Sequence, residues 1–591
     1  MILYLISKIN NELKNIFESN NFDSSFAYIS ISNRPDLADY QINSCFNIAK
    51  KLGKNPFDVA VSISELAKDL KIDGAKVFSF CEACKPGFVN LKLVDDVLVS
   101  HIKDSIFSDN LGIPNLSEYE KDCPKCILLD YGGANVAKPL HVGHLRVAVI
   151  GEALKRLYNK LGIKTISDVH LGDFGLQMGL VIEQLKDENM VDSFTISDLE
   201  NIYPKASLRA KGDSAKGIEP DTAFNDRAHE ATKKIQNNVE PETSIWKKIL
   251  KISIEDLKLR YSELNVFFDY YYGESTVKDI MDPMVAELIK KGIAYESSGA
   301  YVIDVKQDTD KKEMPPCIIK KSDGAVLYAT SDLATIKFRE ENFEADEYVY
   351  IVDKRQSLHL EQCFRAAKKS SLLKRDKIFH HVEVGTMNGS DGKPFKSRDG
   401  GVVKLETLIN DAKNKALIQL KENDRDLNGI DENEIAKRIA ISALKYGDLS
   451  NNPTRDYVFD IDKFLSFQGN TGPYILYTLV RINSIFEKLG KTDIDYNNIK
   501  VVSDEVIHNI FLKAIRYKDV LIEAYKNYDP SCICKYIYEL SNDFNSFYHE
   551  HNVLSEPDEK VQNLYVFILK TINLILKDSL NILAIDIPER M

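Results

Sequence analysis

The stretch Ile127-Leu128-Leu129-Asp130-Tyr131-Gly132-Gly133-Ala134-Asn135-Val136-Ala137-Lys138-Pro139-Leu140-His141-Val142-Gly143-His144 decides the fold of this chain. Its apolar start, Ile127 to Leu129, reads as a short strand. A polar loop follows and closes on His141-Val142-Gly143-His144, and an amphipathic helical pattern begins at once. Strand, loop and helix in that order bring a nucleotide to a helix N-terminus, where free backbone N–H groups and the positive dipole end favour phosphate. Gly143 then gives adenine or ribose room against the backbone. His141 and His144 can hydrogen-bond phosphate oxygens as negative charge builds in a transition state.

Downstream of the histidines, Ile150, Leu154, Leu157 and Leu161 mark one helix face, and Gly162 stops the helix. A strand over Lys164 to Val169 comes next, then His170-Leu-Gly-Asp-Phe-Gly-Leu-Gln177. Strand–helix–strand at this length is a parallel crossover, hence a doubly wound α/β sheet. Residues 190–270 are rich in Lys, Glu, Asp and Asn and read as a helical insertion between the sheet halves. Three later islands return to site chemistry. Ser322 to Leu333 reads as a glycine turn, a short strand and a cap into a helix, with Asp332 a candidate cap. Tyr348 to Asp353 is a buried strand leading into Lys354-Arg-Gln-Ser-Leu-His359, and Asp391 to Gly401 is a basic, glycine-bounded loop.

The flanks differ in kind. Residues 1–122 read as a small α+β unit. It has an opening helix, a strand over Phe26 to Ser32, a helix opening at Asp39 and running through Ala49, and a strand from Phe88 to Leu93. From 456 to 591 the pattern is helical throughout, as in Ile475, Leu479, Ile482 and Phe486, and a helix bundle fits.

A chain of 591 residues is too long for one core. A net charge of −12 argues against wholesale polyanion binding but leaves room for a local basic face. No apolar run reaches the roughly 20 residues of a membrane span, and the opening helix is broken by Lys8, Asn10, Asn11 and Lys14, unlike a signal peptide. The expected location is the cytoplasm. Among nine cysteines, Cys81/Cys84 and Cys123/Cys126 have Cys-x-x-Cys spacing. They lie at strand ends, where reduced buried thiols are common, so no structural zinc is expected.

The run Asn135 to Arg146 resembles the HIGH signature of class I aminoacyl-tRNA synthetases in its arginyl form. Lys393-Pro-Phe-Lys-Ser397 stands in the register of the KMSKS loop. Ala443 to Ser450, Phe467 to Tyr474 and the terminus Glu589-Arg-Met591 also look like arginyl-tRNA synthetases, so the resemblance spans essentially the whole chain. It implies an N-terminal additional tRNA-binding domain over 1–122, a class I catalytic domain of Rossmann-like topology over 123–455 and a helical anticodon-binding domain over 456–591. It also implies arginine activation by ATP with Mg²⁺, transfer to tRNA(Arg) with tRNA needed for activation, a monomer, and neither DNA nor membrane as partner.

The site residues carried over by motif are these. His141, His144 and Lys396 would be catalytic, with Lys393 a weaker candidate. Gly143, Lys138 and Ser397 would join them around ATP. Asp130 and Asp332 would accept the substrate guanidinium, whose five donors need buried acceptors. Tyr328 lies one turn before Asp332, and Asn135 and Gln356 would hold the amino and carboxylate ends. In the N-terminal unit Tyr40, Gln41 and Asn43 offer an aromatic face and amide edges to unstacked bases. A cysteinyl-type enzyme, a silent RNA-binding relative and a small nucleotidyltransferase each explain fewer of these features.

Overall fold

The computed structural model describes residues 5–322, 327–393, 395, 403–422, 431–490, 494–496 and 498–591. The chain folds into two compact units. One comprises 115–474, 524–534 and 580–591, and the other 1–114, 475–523 and 535–579.

The first unit holds the parallel sheet. Its strands are β1 (Cys126–Tyr131), β2 (Lys164–Asp168), β3 (Glu347–Asp353) and β4 (Ile378–Val384), in the spatial order β4–β3–β1–β2, and every pairing is parallel. Every residue of β1 is buried, which is why its sequence is a continuous apolar run rather than an alternating one. Helix α1 (Val142–Lys160) joins β1 to β2 and packs on β1, β2 and β3. On the opposite face Leu128 shares a core with helix α2 (Tyr328–Asn342) and helix α3 (Ser357–Lys369), through Leu333, Ala334, Cys363 and Phe364. The chain leaves β1 toward β2 on one side, while β3 flanks β1 on the other. This is the switch point outside whose carboxyl ends such sheets bind ligands.

Residues 190–270 form helices Ile196–Lys211, Thr222–Gln236 and Glu242–Glu263, as their composition suggested. The second unit contains an antiparallel sheet of Ser30–Ile31, Tyr40–Ile42, Phe88–Leu93 and Phe78–Cys84, and helical segments from the C-terminal region. The segment read as a helix from Asp39 is instead a strand, with Tyr40, Gln41 and Ile42 opposite Leu91, Asn90 and Val89. Its helix starts only at Cys45. Strand pairing with a distant segment overrode a local pattern too short to settle the matter. Likewise, only Ser30–Ile31 of the expected strand over 26–32 is extended and paired. No helix among the described residues is long and apolar enough to cross a membrane.

Candidate active site

His141 is the N-cap of α1. Its Nδ1 accepts the Gly143 N–H at 3.1 Å, and His144 Nδ1 accepts the His141 N–H at 3.0 Å, so the histidines form a reciprocal capping box. The two rings lie 3.8 Å apart between centroids. A Cβ on Gly143 would come within 2.9 Å of the His141 ring. Glycine is therefore needed for the ring to fold back onto the helix end, a use distinct from the nucleotide clearance read from sequence. Ahead of the cap, Ala137 takes a left-handed φ of 62°, strained for a residue with a side chain, and its N–H donates to Ser253 Oγ at 3.2 Å.

Both histidines are neutral near pH 7. Burial, helped by the positive charges of Lys138 and Arg355, lowers His141. Burial, His141 and Lys138 take His144 down to about 3. Because both Nδ1 atoms accept backbone N–H groups, the hydrogen-bond network assigns the remaining proton of each ring to Nε2. Each ring thus offers an Nε2–H donor.

The segment that follows the basic loop, Val403 to Leu405, is bonded to this cap. Val142 N donates to Val403 O at 3.1 Å, Leu405 N donates to Leu140 O at 2.9 Å, and His141 and Lys404 form an antiparallel bridge. At the near end of the loop Gly389 N donates to Lys393 O, Phe395 packs on Phe459, and Lys393 is exposed. Lys396 and Ser397 lie outside the described residues. Lys138 sits with its ammonium 4.3 Å from the ring centre of Tyr203, on an insertion helix whose Glu200 also holds Lys404 at 2.7 Å.

The carboxyl ends of β1 and β2 carry charge. Asp130 is buried at the end of β1 directly beside Asp168 of β2, and two adjacent carboxylates in a core require a cation. The chain supplies it. Arg339 of α2, 1% exposed, reaches Asp130 at 2.7 Å and Asp168 at 2.8 Å. The Asp130 carboxylate, read from sequence as an acceptor for the substrate guanidinium, is thus paired through Oδ2 with the protein's own guanidinium.

Asp332 is placed differently. The helix begins at Tyr328 with Leu327 at the cap, so Asp332 lies inside α2 and is not an N-cap. Its Oδ2 is 2.5 Å from Nε2 of His359 on α3, and the two side chains are 30% and 31% exposed. The half-buried carboxyl of Glu274 is pushed up to about 7 by its partial burial and by the nearby Asp173 and Asp332. Tyr328 is 76% exposed one turn before Asp332. Asn135, also exposed, accepts from Gln177 at 3.3 Å and bridges to Gly172. Gln356, exposed, ends the short helix Lys354–Gln356 after β3.

Arg339, Glu274 and His359 escaped the sequence reading. The pairing of Asp130 with Asp168 was the available signal for a compensating arginine, but it requires knowing the strand register. In the second unit Tyr40 is only 3% exposed. Its ring lies 4.9 Å from the Arg516 guanidinium and its hydroxyl accepts from Arg516 at 3.2 Å. A base-stacking role for Tyr40 is thereby corrected, because the ring presents no open face. Gln41 donates to Asn90 at 2.8 Å, and the buried Asn43 Oδ1 has no hydrogen-bond partner. Cys81 and Cys84 lie three apart on one strand and so point to opposite faces, a poor chelating pair.

A parallel sheet with a histidine-capped helix at its switch point, and the segment after a basic sequence bonded to that cap, fits the catalytic unit of a class I aminoacyl-tRNA synthetase. A family profile described as tRNA synthetases class I (R), catalytic domain, matches residues 110–461. The arginyl-tRNA synthetase N-terminal domain matches 4–93, and the DALR anticodon-binding domain matches 475–591. The chain belongs to the arginine–tRNA ligase family. It is similar to arginine–tRNA ligases of Alkaliphilus oremlandii (40% identity, 99% of this chain and 100% of that one) and Agathobacter rectalis (41%, with the same coverage). The fold is shared with the solved arginyl-tRNA synthetases of Plasmodium falciparum (TM-score 0.79, 24% identity, 99% of each chain) and Thermus thermophilus (TM-score 0.78, 19% identity, 99% and 100%).

Proposed function

We propose that this chain activates L-arginine with ATP, as its Mg²⁺ complex, and transfers the arginyl group to the 3′-terminal ribose of tRNA(Arg), the tRNA being required for activation. The observation that carries the reading is the backbone bridge between His141 and Lys404, which ties the segment after the basic loop to the histidine cap. The arginine carboxylate attacks the α-phosphorus of ATP, pyrophosphate leaves, and the terminal ribose hydroxyl then takes the arginyl group and releases AMP. No covalent enzyme nucleophile is needed, so positioning and charge stabilisation carry the rate.

In this assignment His141 and His144 donate from Nε2 to the α-phosphate and ribose. Lys396, Lys393, Lys138 and Ser397 supply cation and hydroxyl to the phosphates. Asp332, with Tyr328 and Glu274 beside it, receives the guanidinium, while Asn135 and Gln356 hold the amino and carboxylate ends. Residues 1–122 and 456–591 bind tRNA, with Gln41 and Asn43 as contacts. The working form is a cytoplasmic monomer with no resident zinc at its Cys-x-x-Cys pairs.

ATP–pyrophosphate exchange tests the proposal. Arginine should be the amino acid that supports exchange, and only with tRNA(Arg) present. Equal exchange without tRNA removes the tRNA requirement, and exchange driven by another amino acid overturns the assignment.

A further inference from the structure

His359 and Cys363 are four residues apart on α3 and therefore share one helix face, the spacing by which helices chelate metal ions. His359 Nε2 is 3.7 Å from Cys363 Sγ. That is about the edge of a tetrahedron with metal–nitrogen bonds of roughly 2.0–2.1 Å and metal–sulfur bonds of about 2.3 Å. Asp332 Oδ2 lies 2.5 Å from the same nitrogen, a hydrogen bond that a metal would replace by moving the oxygen out roughly 1 Å to reach a tetrahedral edge, and the three ligand atoms lie within 4.8 Å of one another. Cys317, on the strand Cys317–Lys320, is buried in the same core as Cys363 but lies outside this group of ligand atoms.

We propose that Asp332, His359 and Cys363 form a binding site for a soft divalent cation such as Zn²⁺, with the fourth position open to solvent, and that its occupancy competes with arginine. The competition rests on the reading above that places the guanidinium on Asp332, because one carboxylate cannot serve both cations. The cation site rests on the ligand geometry alone.

Thiol, imidazole and carboxylate together favour Zn²⁺ or Co²⁺ over Mg²⁺ or Ca²⁺, which prefer all-oxygen shells. Cys363 and Cys317 are 0% and 1% exposed, whereas Asp332 and His359 are about one-third exposed. The cluster thus has a closed thiol floor and an entry on the Asp332 side. A thiolate is the form a metal takes. Binding forms metal–sulfur, metal–nitrogen and metal–oxygen bonds; the Cys363 thiol proton goes to solvent, and His359 binds through Nε2 as a neutral ring that keeps one proton on Nδ1.

Titrating the full-length enzyme with CoCl₂ under reducing conditions tests the site. The expected result is a near-ultraviolet thiolate-to-cobalt band with tetrahedral visible bands, all bleached by Zn²⁺. Cys363→Ser should remove the thiolate band and weaken Zn²⁺ by about tenfold or more, while arginine-dependent exchange without added metal stays at the wild-type level. Cys363→Ala, which keeps this core position apolar, serves if the serine variant melts early. Arginine should displace the cobalt, and Zn²⁺ should raise KM for arginine and leave kcat unchanged. Absent bands, or equal bands in both Cys363 variants, overturn the site, the latter because the signal then belongs to other cysteines. Bands that saturating arginine leaves untouched overturn the competition, and with it the placing of arginine on Asp332, while the cation site stands.

Discussion

His144 at the nucleotide cap and His508 in the other compact unit are the same residue type driven in opposite directions. Burial, with His141 and Lys138 nearby, takes His144 down to about 3. His508 is held between Asp39 at 3.0 Å and Asp95 at 2.5 Å, and those carboxylates outweigh its burial and raise it to about 9. One is a neutral hydrogen-bond donor at physiological pH and the other a cation. In the proposed function the neutral histidine donates to ATP oxygens without titrating, and lysines supply the charge. A histidine that holds two acidic elements together is kept charged. The proposed site repeats the contrast, since the helix cap assigned to ATP presents backbone and neutral rings and the region assigned to arginine presents carboxylates.

The largest expected effect lies on the charged side. Asp332→Asn keeps the size of the side chain but removes the counter-charge for the guanidinium, so kcat/KM for arginine should fall by about 10²–10³, the loss of one partner of a charge pair. KM for ATP and the melting temperature should hardly change, because Asp332 lies in the helix interior, partly exposed, and caps nothing. Wild-type arginine kinetics in this variant would take Asp332 out of the substrate site.

On the neutral side, His144→Ala should lower kcat by about 10² with little change in KM for ATP, as expected for a donor that acts on developing charge. It should also cost about 1 kcal/mol of stability through the lost cap bond to His141 N. A rise confined to KM would make His144 a ground-state contact. Lys138→Ala is the smaller test of where the charge comes from. Removing that cation should weaken ATP by roughly tenfold or less and let His141 and His144 titrate at higher pH. Unchanged histidines would break the link between Lys138 and their neutrality.

The smallest effect concerns stability. The folded pKa of His508 lies above its ordinary value of 6.5. Its contribution is therefore fully present below about pH 6.5 and is lost as pH rises through about 9. Across that window the wild type should lose roughly 1–3 kcal/mol, seen as a falling melting temperature. His508→Gln should be flatter over the same range. Parallel curves would show that the two aspartates do not hold a charged His508.

How legible these features were depended on the distance over which each is specified. β1, the loop and the cap of α1 lie within residues 126–144, so their periodicity and motif could be read directly. The helical insertion and the helical C-terminal region announced themselves by composition and by long 3.6-residue patterns. The pairing of Asp130 with Arg339 could not be read, because it depends on β1 and β2 lying in register and on a helix 200 residues downstream. The strand at Tyr40 was mistaken for a helix start because three residues carry no period of their own and owe their form to pairing with 89–91. His359 stood in a segment singled out for Gln356, but its role depends on two helices facing each other.

The protonation contrast is the central claim, and ¹⁵N-histidine NMR of the full-length enzyme tests it most directly. With signals assigned by the His141→Asn, His144→Asn and His508→Gln variants, His144 should remain a neutral Nε2–H tautomer down to pH 5. His141 should be the same tautomer and neutral at pH 7, and His508 should remain an imidazolium at pH 8. A His144 signal that titrates near pH 6.5, or a neutral His508 at pH 8, would contradict the account.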